Sequence, residues 1–278
     1  NEAIAYLNSY LDKNPYCEVA WHQLGRQYYE LKEYEKALRA YDFAIISDDT
    51  FIGAYLEKGK VLEKLKLYNE AIENYSITLS LEDPTSFALL RIASCHEKLG
   101  NNELAVQYYY KTVHEDPLLD KGWIAITKFY SKNKNYQKAL YYINKAINID
   151  GENILYWKYY AKINHKLNFL EEAERGYKRI LDLGNYELET WLVRGDILLA
   201  LGEQQAATFN FIQAAEFYPE NAEIEFRLAG LYFQLLETEK ATYHLKNGLR
   251  FDAEQIIILE ELFPEVYESL LVKKMFSK

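Results

Sequence analysis

An alanine recurs every 34 residues along most of this chain, at Ala37, Ala71, Ala105, Ala139, Ala173, Ala207 and Ala241. An unbroken period of that length marks a repeat architecture, in which one supersecondary unit is copied and each copy buries its neighbour's apolar face. At 278 residues the chain is longer than a single core usually allows, so it must either divide into domains or grow along one axis. The period selects growth by repetition. With alanine set at position 20, units begin at Glu18, Ile52, Ser86, Asp120, Ile154, Leu188 and Ala222, and Ala3 occupies position 20 of an eighth, truncated unit.

Other positions fall into the same register. Position 8 is small in every unit: Gly25, Gly59, Ala93, Thr127, Ala161, Gly195 and Ala229. Position 24 is large: Tyr41, Tyr75, Tyr109, Ile143, Tyr177, Phe211 and Leu245. Position 4 holds Trp21, Tyr55, Leu89, Trp123, Trp157 and Trp191 in the first six units, and Glu225 in the seventh. Small residues facing large ones let two helices approach closely and interlock. Position 32 carries Asp49, Asp83, Pro117, Gly151, Asn185 and Pro219, residues that turn the chain or stop a helix. Each unit therefore reads as two antiparallel helices, A over positions 1–14 and B over positions 17–30, joined by a short polar turn such as Gly100-Asn101-Asn102.

Composition agrees with an all-helical chain. Hydrophobic residues make up 49% and charged residues 27%, and 12 Gly and 5 Pro are too few for the turns of an all-β fold. The 26 tyrosines suit helix interfaces that lie close to water, where a bulky ring needs a polar tip. A net charge of -10 opposes general binding to nucleic acid or anionic membrane. Cys17 and Cys95 sit in different units, which fits reduced thiols and a cytoplasmic location. No apolar run reaches the roughly 18 residues of a membrane span.

The run Trp21, Leu24, Gly25, Tyr28, Ala37, Tyr41 and Ala44 resembles the tetratricopeptide repeat, and the likeness extends over nearly the whole chain. The resemblance implies an all-α, right-handed superhelical solenoid of antiparallel helix pairs, with A helices lining a concave surface and seven full repeats making close to one turn. The expected organisation is residues 1–17 as the second helix of a truncated repeat, 18–253 as seven repeats, and 254–278 as a C-terminal cap. In that cap Ile256, Leu259, Leu262 and Phe263 form one apolar stripe, and Pro264 opens a second helix containing Val266, Leu270 and Leu271. Lys273 and Lys274 suit the negative end of that helix. Because Ala3, Leu7, Tyr10 and Pro15 occupy positions 20, 24, 27 and 32 of a unit without its A helix, the native chain is expected to start further upstream, and the uncovered face could self-associate. Lys58 and Arg194 at position 7, His96 and Asn164 at position 11, and Glu225 at position 4 depart from the family pattern, and read as decay of the repeat with long stems reaching water.

Chemistry is missing from the pattern. His22, His96, His114, His165 and His244 lie in five different units without metal-ligand spacing, so no metal is expected. No glycine-rich phosphate loop occurs, because the glycines recur with the repeat. Pairs such as Glu171-Glu172 and Glu260-Glu261 read as solvated surface charge. No catalytic residue and no cofactor is assigned.

Positions 2, 5, 9 and 12 of helix A face the ligand in the family the chain resembles, and here they carry cations. Position 9 reads Arg26, Lys60, Ser94, Lys128 and Lys162 in the first five units, joined by Lys121 at position 2 and Lys158 at position 5. Lys158 and Lys162 share one helix face, and His165 lies a turn further on. The last two units reverse sign with Glu189, Asp196 and Glu223. Ile124, Leu155 and Phe226 supply apolar contact beside the charges. The function these residues imply is a non-catalytic scaffold that holds an acidic peptide segment against repeats one to five. A regulatory array of a longer enzyme is an alternative, and an RNA-binding solenoid a weaker one. The clamp by which some family members hold an acidic chaperone tail needs Lys and Asn at 5 and 9, Asn at 6 of the next unit, then Lys and Arg at 2 and 6. Lys158, Lys162, Val193, Glu223 and Arg227 meet only two of those five requirements, which excludes that adaptor role. The register itself is testable: Ala173→Leu should cost about 1–3 kcal/mol by overpacking, read as a lowered thermal midpoint.

Overall fold

The computed structural model describes residues 2–83 and 85–268; Leu270, Leu271, Lys273 and Lys274 of the expected cap lie outside them. Among the described residues the regular structure is helical throughout. Helix α1 spans Glu2–Leu11. The A helices are α2 (Glu18–Glu30), α4 (Ile52–Lys64), α6 (Ser86–Lys98), α8 (Asp120–Lys132), α10 (Ile154–Lys166), α12 (Leu188–Ala200) and α14 (Ala222–Gln234). The B helices are α3 (Tyr34–Ser47), α5 (Tyr68–Leu81), α7 (Asn102–Glu115), α9 (Tyr136–Ile149), α11 (Leu170–Asp182), α13 (Gln204–Phe217) and α15 (Thr238–Phe251). Within each series the helix starts are 34 residues apart. The chain gathers into two compact units that divide at Phe129 and Tyr130, inside α8.

Close packing of A on B follows from the small and large positions. The alanine at position 20 is fully buried in all seven repeats, and the side chain at position 24 is no more than 4% exposed in any of them. A Cβ placed on Gly25 would lie 2.5 Å from the Tyr41 ring, and one on Gly59 would lie 2.6 Å from the Tyr75 ring. One on Gly195 would enter the Phe211 ring. Glycine is thus required where the position-24 ring lies flat against the A-helix backbone, whereas Ala93 is accommodated opposite Tyr109.

Polar tips of the large side chains fasten the loops. Indole N–H groups at position 4 donate to the carbonyl at position 32 of the preceding repeat: Trp21 to Pro15 at 2.7 Å, Trp123 to Pro117 at 2.8 Å and Trp157 to Gly151 at 2.9 Å. The Tyr55 hydroxyl makes the same bond to Asp49 at 3.1 Å. The ring fills the interface while its tip satisfies a turn carbonyl, which accounts for aromatic residues that are also donors.

The A-to-B turn is the same in every repeat. The N–H at position 16 donates to the carbonyl at position 11 at 2.9 Å, as Glu33 does to Tyr28 and Glu237 to Tyr232. This six-residue closure requires a left-handed residue at position 15. Lys32, Lys66, Gly100, Lys134, Asn168, Gly202 and Leu236 occupy it, with φ between 58° and 81°. Five of the seven carry a side chain there, a conformation that costs roughly 1–2 kcal/mol per residue. The turn was expected from sequence, but its hand was hidden by those non-glycine residues.

The C-terminal segment also keeps the register. A 3-10 turn (η1, Ala253–Ile256), α16 (Ile257–Leu262) and α17 (Pro264–Tyr267) follow α15, and α16 begins where the next A helix would have its second residue. Leu259, in the position-4 slot, is fully buried, and Phe263 packs directly on Gly230. Pro264 then ends the copy of helix A after two turns, because it lacks the N–H that the helix needs.

The glycine at position 8 gives a specific test. Gly195→Ala should lower stability by about 1–3 kcal/mol, since the added methyl must displace a fully buried ring. The double variant Gly195→Ala with Phe211→Leu should recover part of the loss, and equal thermal midpoints for the single variant and the parent would contradict the packing described.

Candidate functional site

In the unit ending at Phe129, the A helices bring the expected inner positions together. Ser94 and Leu90 of α6 face Lys121, Ile124, Ala125 and Lys128 of α8 across a cleft of about 400 Å³. Ile124 is only 6% exposed and forms part of the cleft's floor. Lys121 and Lys128, two turns apart on one helical face at positions 2 and 9, are exposed at its rim. Arg91 lines the same cleft but is held by Glu63 at 2.7 Å, and Glu63 also accepts from the buried Tyr75 hydroxyl at 2.7 Å. Glu97 accepts from Tyr109 at 2.8 Å. Burial, reinforced by those carboxylates, raises the pKa of both Tyr75 and Tyr109 well above the ordinary phenol value, so both remain neutral donors.

Further along the same unit the inner line changes character. Lys60 pairs with Glu57 at 2.6 Å and lies 5.1 Å from the centre of the Phe87 ring, which is 39% exposed at position 2 of repeat three. Arg26 is exposed. His22 stacks edge-on against Phe51, and burial lowers its pKa from the usual imidazole value, so it is neutral at pH 7.

In the second unit the cations that sequence alone placed at an open surface are largely paired. Both carboxylate oxygens of Glu187 accept from Lys158, at 2.7 and 2.8 Å, and Lys162 lies 3.3 Å from Glu189. The carboxyl of Glu187 is held below its usual range, chiefly by the Lys158 hydrogen bond. Leu155 is 44% exposed and His165 is exposed. Phe226 requires correction: it is fully buried, with its ring against Gly248 of α15, so it belongs to the core and not to a contact surface. Gly230, at position 9 of the last repeat, is covered by Phe263.

Four of the five residues read as repeat decay make polar contacts between or within repeats, as Arg227 also does, while His96 stacks on Tyr108. Lys58 reaches Asp42 at 2.7 Å, and Arg194 reaches Glu174 at 2.7 Å and Asn210 at 3.1 Å. Arg227 is 8% exposed and bonds both oxygens of Asp196, at 2.7 and 2.8 Å. Glu225, in place of the position-4 aromatic, meets His244 at 2.8 Å. Asn164 is buried and caps a carbonyl of its own helix. Apart from that contact of Asn164, the polar partners lie 16 to 31 residues apart in sequence, so no helical-face spacing reveals them.

Nucleophilic chemistry finds no support in the cysteines. Cys17 and Cys95 are both free, and burial pushes the Cys95 thiol up to about 12, which leaves it protonated at neutral pH. Among the described residues no group of three or more His, Cys, Asp or Glu is placed to hold a metal ion, and no helix is long and apolar enough to cross a membrane.

Repeated helix pairs with a constant period, whose inner faces vary in charge, define an all-α helical-repeat fold. The fold is that of tetratricopeptide-repeat proteins. Residues 87–118, which cover α6 and α7 almost entirely, match the tetratricopeptide repeat model. Two curated relatives share part of the array: the CTR9 homolog of Arabidopsis thaliana, 37% identical over 71 residues, and the BBSome complex member BBS4 of Bos taurus, 35% identical over 86 residues. Those matches cover 24% and 31% of this chain but only 6% and 16% of the relatives' lengths. The fold is similar to the C-terminal part of a tetratricopeptide-repeat protein from Cytophaga hutchinsonii, with a TM-score of 0.68 at 16% identity, covering 86% of this chain and 99% of that one. It is also similar to YrrB, described as a tetratricopeptide-repeat protein with an unusual peptide-binding site, with a TM-score of 0.51 at 16% identity, covering 64% of this chain and 92% of that one.

The ion pair with the most buried guanidinium makes a prediction. Arg227→Met should destabilise the protein by about 2–4 kcal/mol, because it strands the Asp196 carboxylate at a repeat interface, and Asp196→Leu in the same chain should restore much of the loss. Thermal or urea unfolding of the two single variants and the double variant measures it.

Proposed function

We propose that this protein is a non-catalytic scaffold that binds an acidic, partly apolar peptide segment in the cleft between α6 and α8. One observation carries the reading: Lys121 and Lys128 rim an open cleft whose floor is Leu90, Ile124 and Ala125. Two cations above an apolar floor match a segment in which acidic and apolar residues alternate. Phe87 and Lys60 extend the same inner line toward repeat two, and Arg26 continues it. The peptide site of YrrB, a protein of the same fold, supports a peptide as the kind of ligand.

Division of labour follows from charge. Exposed ion pairs contribute only about 0–1 kcal/mol each, so the lysines steer and orient while the apolar floor supplies most of the affinity. Lys158, Lys162 and His165 line no part of that cleft and take no primary role; the two lysines engage Glu187 and Glu189. The site is restricted to the first unit, a narrower reading than the run of cations over five repeats suggested.

The test is a double reversal, Lys121→Glu with Lys128→Glu, titrated against fluorescein-labelled peptides that alternate Glu with Leu. The parent should bind such a peptide with an affinity that falls as salt rises, and the variant should bind roughly tenfold or more weakly while keeping its helical circular dichroism. Unchanged affinity in the variant would overturn the assignment. Tight, steeply salt-dependent binding of single-stranded RNA by the parent would favour a nucleic-acid function instead.

A further inference from the structure

A second surface lies in the other unit, on the edge where the A-to-B turns emerge. Two clefts there are built from equivalent repeat positions. One is lined by residues 168–172 and Leu201, the other by residues 202–206 and Leu235. Each therefore joins positions 15–19 of one repeat to position 14 of the next. Phe169, beside the first cleft, is 50% exposed, and Leu236, adjoining the second, is 86% exposed.

Leu236 is the residue the fold does not explain. It holds the left-handed turn position with φ of 60°, where the other six repeats place Lys, Asn or Gly. A leucine there carries the backbone cost of the conformation and, at 86% exposure, gains little packing within the chain in return. The rim of this edge is acidic. Glu171 and Glu203 line the two clefts and are exposed, while Glu172 and Glu237 engage Arg175 and Lys240 of their own helices. Lys166, at the end of α10, is the other exposed cation of the first turn.

We infer that this edge docks a basic amphipathic helix of a partner protein, with apolar residues seven apart set against Phe169 and Leu201 at the first cleft and against Leu235 and the adjoining Leu236 at the second, whose floor is otherwise mostly polar, and with lysines or arginines opposite Glu171 and Glu203. Packed helices stand about 8–10 Å apart, so equivalent points of successive repeats recur at about that distance. Seven residues of α-helix rise about 10 Å and return to the same face. An extended segment presents same-face residues at multiples of roughly 6.6 Å and misses that spacing. Charge complementarity selects the flank: an acidic rim on a chain of net charge -10 attracts cationic side chains. The surface lies in a different unit from the α6–α8 cleft and takes a ligand of opposite charge, so neither assignment depends on the other.

The experiment uses an 18-residue fluorescein-labelled peptide of Leu and Lys, with Leu at helical i, i+3, i+7 spacing, a scrambled peptide of the same composition, and a version with Glu for Lys. The parent should bind the ordered peptide at least tenfold more tightly than either control. Leu236→Gly and Phe169→Ser should each weaken binding about fivefold or more, and Lys121→Glu with Lys128→Glu should leave it unchanged. Both edge variants should stay folded, because glycine suits the left-handed turn and serine suits the first position before α11. Leu236→Gly should melt no lower than the parent. Equal binding of ordered and scrambled peptides, or full affinity in both edge variants, would overturn the inference. A parent that sediments as a dimer while Leu236→Gly sediments as a monomer would overturn it too, by making a second copy the occupant.

Discussion

The closest approach of helix A to helix B, position 8 against position 24, is the contact on which the rest of this structure depends. Where a ring lies on the helix, as Tyr41, Tyr75 and Phe211 do, the opposing residue is glycine. Glycine inside a helix costs roughly 0.5–1 kcal/mol relative to alanine, and the burial of a whole aromatic side chain, worth about 1.5–3 kcal/mol, exceeds that cost. Close approach has a second consequence. It carries the tyrosine hydroxyl across helix A to position 12, where Glu63 accepts from Tyr75 and Glu97 from Tyr109. Glu63 then holds Arg91, a residue of the α6–α8 cleft. A packing contact in one repeat is thereby linked to the wall of the candidate site in the next.

Much of this was legible in the residues themselves. A strict period fixes which positions touch, since identical spacing must give identical geometry, and position 20 is fully buried throughout. What the period could not show is whatever differs between copies. The left-handed residue at position 15 is glycine only at Gly100 and Gly202, so the strongest marker of that conformation is absent from five turns. Phe226 was misplaced because what admits its ring differs from the other copies: it packs on Gly248 of α15, at position 27, where the first six repeats carry Ala, Thr or Ile. The start of α16 was concealed for a related reason. Its residues keep the apolar spacing of helix A, but Phe263 stands at position 8, where every other copy is small.

Charge at the inner positions also had to be seen in three dimensions. Read along the sequence, Lys158 and Lys162 continue the basic line of the earlier repeats, and Glu189, Asp196 and Glu223 begin an acidic one. In the structure the two lines meet as partners, since position 9 of one repeat lies beside position 2 of the next, as Lys162 does beside Glu189. The same neighbour relation places Lys128 and Lys121 on one cleft in the first unit, with Ser94 in place of a third cation. A single substitution pattern thus places Lys162 against a carboxylate of the next repeat in one unit, and Lys121 and Lys128 on one cleft in the other.

Those polar pairs also bear on how nearly identical repeats keep their order. Shape alone distinguishes poorly between neighbours that all present a small position 8 and a large position 24. The ion pairs do distinguish them at four of the repeat interfaces, each of which carries a different one: Lys58 with Asp42, Arg91 with Glu63, Arg194 with Glu174, Arg227 with Asp196. If the last repeat stacked on repeat five instead of repeat six, Arg227 would face Lys162 at position 9 in place of Asp196. A buried guanidinium would then lose both its hydrogen bonds and meet a like charge, at a cost of several kcal/mol. Arg91, stacked one repeat too early, would meet Tyr29 at position 12 and find no carboxylate. A buried pair adds little net stability over an apolar pair of the same size, but breaking it is expensive. That asymmetry disfavours mispairing at the interfaces that carry such pairs, which uniform hydrophobic packing cannot do.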